Sequence, residues 1–393
     1  MAIIRFTNCQ LCDEGIIYHR DLYISTTKGC IIPGVRNADK VIDLHGSILT
    51  PGFIDIQING CYGFDFSEYS TEEEYSKGYN NCLRKLIKTG TTSICPTVIR
   101  FTDDVCTHVL PLLKAEANND RTESLGSHCE GPIISTIKKG CHDEKYFRRP
   151  KTKEELYSAF GCEKNLDYIK IITAAPELDG ILSLIPEITD RDIIFSIGHT
   201  MATYEQCQEA VKQGATMLTH IFDAMPQPHH RSPGPIGLEG LAEERLRPYF
   251  GLISDGSHIH PTYISLIYNA SKDKCCLVTD AQNTIGLPDG EYPWEGRYLV
   301  KKGRSLKVKG TDTIAGSVTD QAQCMRNMMK WTNASLPEAV KCVTNNPARS
   351  VHVDDHKGFL KEGYDADLCV LDEKGNVKQV YKLGNLVHTS NII

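Results

Sequence analysis

The sequence predicts an α/β protein, a (β/α)8 TIM barrel carrying a small β domain formed from both chain termini. Three observations predict it. Apolar strand-like runs alternate with helical patterns through the middle of the 393 residues. Short β-rich runs of a different texture occupy both ends. Polar, chemistry-bearing residues stand where the middle runs stop, as at the mouth of a barrel. A doubly wound sheet is the structural alternative.

In chain order, "IIRFTNCQLC", "GIIYHRDLYIS" and "GCIIPG" are short β-rich runs broken by Gly, Asp and Pro, which suits a small antiparallel unit. Eight apolar runs follow: "GFIDIQI", "TTSICPTVI", "SLGSHCEG", "YIKIITAAPE", "DIIFSIGHT", "TMLTHIFDA", "YFGLISDGSHI" and "CCLVTDA". Amphipathic helices are expected over 71–90 and 203–214, each ending in Gly after a basic or polar last turn. "AMPQPHHRSPGPIGLEG" is dense in Pro and Gly and reads as a long loop. The basic stretch "ISTIKKGCHDEKYFRRPKTKEE" reads as an insertion after the third strand, where barrel loops carry binding residues. At the C-terminal end, "ADLCVLD" and "VKQVYKLG" form a strand pair around the turn "EKGN". The expected division is 1–50 and 351–393 for the two parts of the β domain, with the barrel over 51–350.

Composition narrows the function. A hydrophobic share of 40% with 24% charged residues is that of an ordinary globular protein. The net charge of −7 argues against nucleic acid or an anionic membrane as partner, though not against a small anion in a locally basic pocket. No apolar run approaches the ~18 residues of a membrane span, and the first apolar run is too short for a signal peptide. The sixteen cysteines are scattered, several within apolar runs, so a reduced, cytoplasmic protein is expected. Cys9 and Cys12 have zinc-knuckle spacing, but no second pair follows at a matching interval.

Glu130, His199, His220 and Asp280 each follow an apolar run. In a barrel those ends converge, and one carboxylate with two imidazoles makes a three-ligand site with an open position, suited to zinc. Each His taken alone reads more readily as a structural histidine; the cluster favours the metal reading. A metal would bring the pKa of its water from about 15.7 toward neutrality. Asp280 is then the candidate to take and return the proton. "HHRSPGPIG" and "SDGSHIHP" offer His229, His230, Arg231, His258 and His260 as phosphate-type groups, with a solvated basic loop as the plain reading. Neither matches a P-loop or a dinucleotide fingerprint.

The stretches "PGFIDIQINGCYGFDFS", "HCEGPIIS", "KKGCH", "SIGHT", "LTHIFDAMPQPHHRSPG", "SDGSHIHP", "LVTDA", "IAGS" and "TNNPARSVHV" resemble, in order, the N-acetylglucosamine-6-phosphate deacetylase family of the amidohydrolase superfamily. The resemblance implies a barrel with a β-sandwich from both termini, one divalent metal per chain, with zinc the expected ion, and an amino-sugar phosphate as substrate. It puts the metal ligands on Glu130, His199 and His220 and the catalytic acid/base on Asp280, with His142 assisting. It puts substrate contacts on Cys141, His142, Asp223, Ala224, Arg231, the loop Asp255 to His258, and Ile314, Ala315 and Gly316. Arg231 and His258 resemble the family's phosphate grip, which a homodimer can complete. The superfamily's His-x-His is replaced here by Gln57-Ile58-Asn59, which favours one metal over two and argues against a cyclic amidase. Asp223 stands where the family has Asn, and a carboxylate there repels a phosphosugar unless protonated or paired. The implied reaction is deacetylation of N-acetyl-D-glucosamine 6-phosphate, with the galactosamine isomer as alternative. A non-catalytic barrel is disfavoured by the joint presence of Glu130, His199, His220 and Asp280.

Overall fold

In the computed structural model, which describes residues 3–390, the middle of the chain forms a parallel barrel. Its strands are β1 (Phe53–Ile58), β2 (Thr91–Val98), β3 (Ser127–Glu130), β4 (Ile169–Ala174), β5 (Ile194–Ile197), β6 (Met217–Leu218), β7 (Tyr249–Ile253) and β8 (Cys275–Val278). Each pairs in parallel with the next. A bridge between Ile58 and Ala281 closes the ring just beyond β8. All eight expected strands are present, in the expected order.

Strand periodicity sorts the side chains. Phe195, Phe250, Leu252 and Leu277 face outward into the layer shared with the helices. Ile54, Ile171, Ile194, Met217 and Cys276 fill the barrel floor, which Ala348, Val351 and Phe359 seal from below. Above this floor lies a hydroxyl layer. Thr219 meets Thr173 at 2.7 Å and Ser196 at 2.5 Å, and Thr173 meets the buried His128 at 2.7 Å. One step further along the same strands come the ligand-type residues.

The expected helices form with the caps the sequence offers. Thr71 caps Glu72–Leu86, and Thr203 with Gln206 makes a capping box on Tyr204–Lys212. Both chain ends contribute to one six-stranded sheet: Gln10–Asp13, Ile16–His19 and Ile48–Pro51 join Leu368–Leu371, Val377–Lys382 and Asn385–Thr389. A four-stranded sheet from the first 43 residues packs on it through Phe6, Leu11, Ile24, Leu49, Leu368 and Tyr381. This is the β-sandwich that the two ends build together.

One element was not anticipated. After β8, Gly290–Trp294, Arg297–Lys302 and Ser305–Val308 form a three-stranded antiparallel sheet with its own small core of Trp294, Leu299, Leu306 and Val308. Arg100 ties it to the barrel, reaching Asp65 at 2.8 Å and Glu295 at 3.3 Å.

Candidate active site

The ends of β3, β5 and β6 bring Glu130, His199 and His220 together. Nε2 of His199 lies 2.7 Å from Oε1 of Glu130, Nε2 of His220 lies 3.1 Å from the same oxygen, and the two Nε2 atoms are 3.1 Å apart. All three residues are buried, and their ligand atoms lie within 4.8 Å of one another. His199 and His220 take left-handed backbone conformations (φ 47° and 28°), as does Asp280 (φ 46°). Such conformations are costly for residues with a Cβ and persist where the surroundings enforce them. Just before His199, Gly198 allows close packing against β6: a Cβ there would come within 2.7 Å of Thr219.

The donor set fits a cation. Nδ1 of His199 is directed at the Lys138 carbonyl at 2.7 Å, which assigns the proton of the neutral ring to that nitrogen. Its Nε2 therefore points a lone pair at a carboxylate oxygen. Acceptor against acceptor at 2.7 Å is repulsive unless a positive charge lies between or beside them. Burial holds His199 neutral, lowering its pKa to about 4. Burial also opposes charge on His220, but Glu130, Asp280 and Asp223 outweigh it and raise that ring to about 9. Positive charge is wanted at this point, and a divalent ion would supply it. The other cluster of carboxylates, Glu123, Asp365 and Asp367, is already filled by the ammonium groups of Lys357 and Lys382.

Asp280 faces the same space from the end of β8. Asn59 donates to its Oδ1 at 2.6 Å and Gln57 approaches it at 3.5 Å, while Gln57 also donates to Oε2 of Glu130 at 2.9 Å. The two amides that replace His-x-His thus steady both carboxylates, a role that residue type alone did not reveal. Burial and then the charge of Glu130 push the Asp280 carboxyl up to about 7, against the pull of His220, His258 and the Asn59 hydrogen bond. Gly316 packs on the Asp280 backbone, where a Cβ would come within 2.7 Å of its carbonyl oxygen.

A cavity of about 150 Å³ opens over these groups. Cys141, His142, Asp223, Ala224, His258, Ile314 and Gly316 line it, together with the four residues above. Asn59, Ile99, Gly140 and Gln282 line it as well and were not anticipated. Nε2 of His142 lies 3.5 Å from Glu130 Oε1. His258 is held through Nδ1 by Asp255 at 2.7 Å; burial opposes its charge, and Asp255 restores and raises it. Asp255 and Ala315 are buried behind this wall rather than in it. Arg231 is absent from the lining. It sits on an exposed loop beside His230, with Nη1 2.7 Å from that ring. Oδ2 of Asp223 is buried without a hydrogen-bond partner, and burial raises its pKa. Among the described residues, no Lys or Arg lines the cavity.

Comparison with known proteins decides the family. The model of the amidohydrolase family matches residues 48–387. A Caenorhabditis elegans N-acetylglucosamine-6-phosphate deacetylase is 36% identical over 98% of this chain and 94% of that relative. The chain belongs to the amidohydrolase family. Within it, the chain groups with N-acetylglucosamine-6-phosphate deacetylases of animals and bacteria, including that of Haemophilus influenzae at 34% identity over 84% of each chain. The crystal structure of the Pasteurella multocida deacetylase superposes with a TM-score of 0.86 at 28% identity, covering 99% of this chain and all of that one. A mutant of the Mycobacterium smegmatis deacetylase, solved in complex with N-acetyl-D-glucosamine-6-phosphate, gives a TM-score of 0.84 at 25% identity over 99% of each chain. The amidohydrolase barrel is thus present with its metal-type ligand group and a mouth open to a small molecule.

Proposed function

We propose that this amidohydrolase hydrolyses the acetamide of N-acetyl-D-glucosamine 6-phosphate to D-glucosamine 6-phosphate and acetate. The observation that carries this reading is Asp280, held at 2.6 Å by Asn59 and facing the Glu130–His199–His220 ring across the cavity. Glu130, His199 and His220 would hold one divalent ion per chain, with zinc favoured by the nitrogen-rich donor set. When bound, that ion supplies Lewis-acid polarisation of the amide carbonyl and acidifies water.

The chain's own groups do the rest. Asp280 accepts a proton from the attacking water and returns it to the sugar nitrogen as the C–N bond breaks, which yields acetic acid and the free amine. The water's second proton then passes from the acid to the amine, and the products leave as acetate and the ammonium form of the sugar. A carboxyl near pH 7 suits both directions of transfer. His142, on the cavity wall, donates to the oxygen that gains charge. His258, whose charged form the neighbouring Asp255 favours, meets the phosphate. Among the described residues, the cavity of a single chain offers no guanidinium or ammonium, and Arg231 lies on an exposed loop. This supports a homodimer in which Arg231 of a second copy completes the phosphate grip. All sixteen cysteines are free thiols, which supports placing the reaction in the reducing cytoplasm; no described helix is long and apolar enough to cross a membrane.

The test is acetate release from N-acetylglucosamine 6-phosphate and its galactosamine isomer by the metal-loaded protein. The glucosamine ester is expected to turn over. Absence of acetate from both esters, in protein carrying its metal, would overturn the reading.

A further inference from the structure

At the opposite end of the barrel, the starts of β7 and β8 and the residue preceding β6 border a second cavity of about 240 Å³. Arg245, Arg247, Lys274, Arg349 and His352 line it beside Tyr249, and among the described residues no carboxylate does. In a chain of net charge −7 this is a local reversal of sign. Three of these groups are engaged from outside the cleft. Arg245 pairs with Glu243 at 2.7 Å, His352 with Asp192 at 2.7 Å, and Arg349 with Glu14.

Arg247 and Lys274 are different. Arg247 donates Nε to the Leu241 carbonyl at 2.7 Å and Nη1 to that of Ala270 at 3.0 Å, which fixes the guanidinium plane without cancelling its charge. Its nearest carboxylate, Glu244, is 3.9 Å away and 81% exposed, and Nη2 has no partner among the described residues. Lys274 makes no ion pair among the described residues, and its ammonium stands 4.4 Å from the centre of the Tyr249 ring. Behind them Glu239 is buried with neither oxygen hydrogen-bonded. A neighbouring cavity of about 450 Å³ shares Arg245, Arg247 and Lys274, so these cations form a wall reached from two sides.

We propose that this cleft binds a small phosphate-bearing anion between Arg247 and Lys274, with Tyr249 as its apolar wall. A pre-oriented guanidinium edge and a separate ammonium can address different oxygens of one tetrahedral group. A monocarboxylate brings one negative charge to these two cations, whereas a phosphate monoester brings about −1.5 to −2 at pH 7. The anion would sit under β6, β7 and β8, whose far ends lead to His220, Asp255 and Asp280. The inference does not depend on the deacetylase reading, because the cleft shares no residue with the catalytic cavity.

The test is lysine acetylation footprinting on the full-length, metal-loaded protein, read by peptide mass spectrometry at constant ionic strength. The probes are inorganic phosphate, glucose 6-phosphate and glucose. Phosphate or glucose 6-phosphate should slow acetylation of Lys274 at least threefold while leaving the exposed Lys212 unchanged, and glucose should do nothing. Stronger protection by glucose 6-phosphate would identify a sugar phosphate as the ligand, and equal protection the free anion. Arg247→Gln should abolish the protection while keeping the wild-type circular dichroism spectrum and a cooperative melt, which certify its fold. Unchanged Lys274 reactivity with both phosphates, or equal protection by glucose, would overturn the proposal.

Discussion

Asn59 donates its side-chain amide to Oδ1 of Asp280 at 2.6 Å, from the position where a metal-binding His stands in much of the superfamily. The bond leaves the second carboxylate oxygen to face the cavity. Asn59→Ala should lower kcat by about 10–100-fold, the worth of one hydrogen bond to a charged group. KM should move little, because Asp280 remains but loses its orientation. Steady-state kinetics check this, and an unchanged kcat would remove Asn59 from the account.

The ligand ring makes a claim about stoichiometry. Metal analysis of the purified protein should give about one divalent ion per chain, as expected of a three-ligand site with one open position. Glu130→Ala should bring that to near zero and lower the melting temperature, since the histidine pair loses its counter-charge. About two ions in the wild type would revive the binuclear arrangement that Gln57 and Asn59 argue against.

Arg297, on the unanticipated three-stranded sheet, donates to the Cys141 carbonyl at 3.3 Å and so braces the loop that carries His142. Losing one such hydrogen bond should cost about 3–10-fold in kcat. Arg297→Lys should recover part of it. A variant with wild-type kcat would show that the loop holds itself.

Glu239 gives a pH dependence with a definite sign. Burial pushes its carboxyl up to about 8, against the nearby Ser271 hydroxyl and the charges of Arg247 and Lys274; the hydroxyl is close, though neither oxygen accepts a well-formed hydrogen bond. The folded state therefore keeps a proton that the unfolded chain releases above its ordinary value of 4.5. Stability from this group is fully present below about 4.5 and is lost as the pH rises toward about 8. Thermal melts between pH 5.5 and 8.5 should show the decline, and Glu239→Gln should flatten it. Parallel profiles for the two proteins would contradict the assignment.

Much of this was legible in the sequence because the barrel writes itself in alternating apolar runs, and its reactive residues stand at strand ends. Glu130, His199, His220 and Asp280 could be picked out by position. The amide clamp of Gln57 and Asn59 could not, since neither residue type signals chemistry and their partners are 73 and 221 positions away. The sheet over 290–308 escaped because its first strand alternates half-exposed and exposed residues, so it carries no apolar run to notice. Arg231 was picked out by type. Its exposed loop shows why type alone does not place a phosphate ligand: what completes the pocket need not come from the same chain.

The most direct test of the central claim is acetate release from N-acetylglucosamine 6-phosphate by the Asp280→Asn variant, with metal content measured on the same sample. The account expects wild-type metal content and a kcat lower by several orders of magnitude, since the proton carrier is gone while the ion's ligands remain. Near-wild-type turnover by that variant would contradict it.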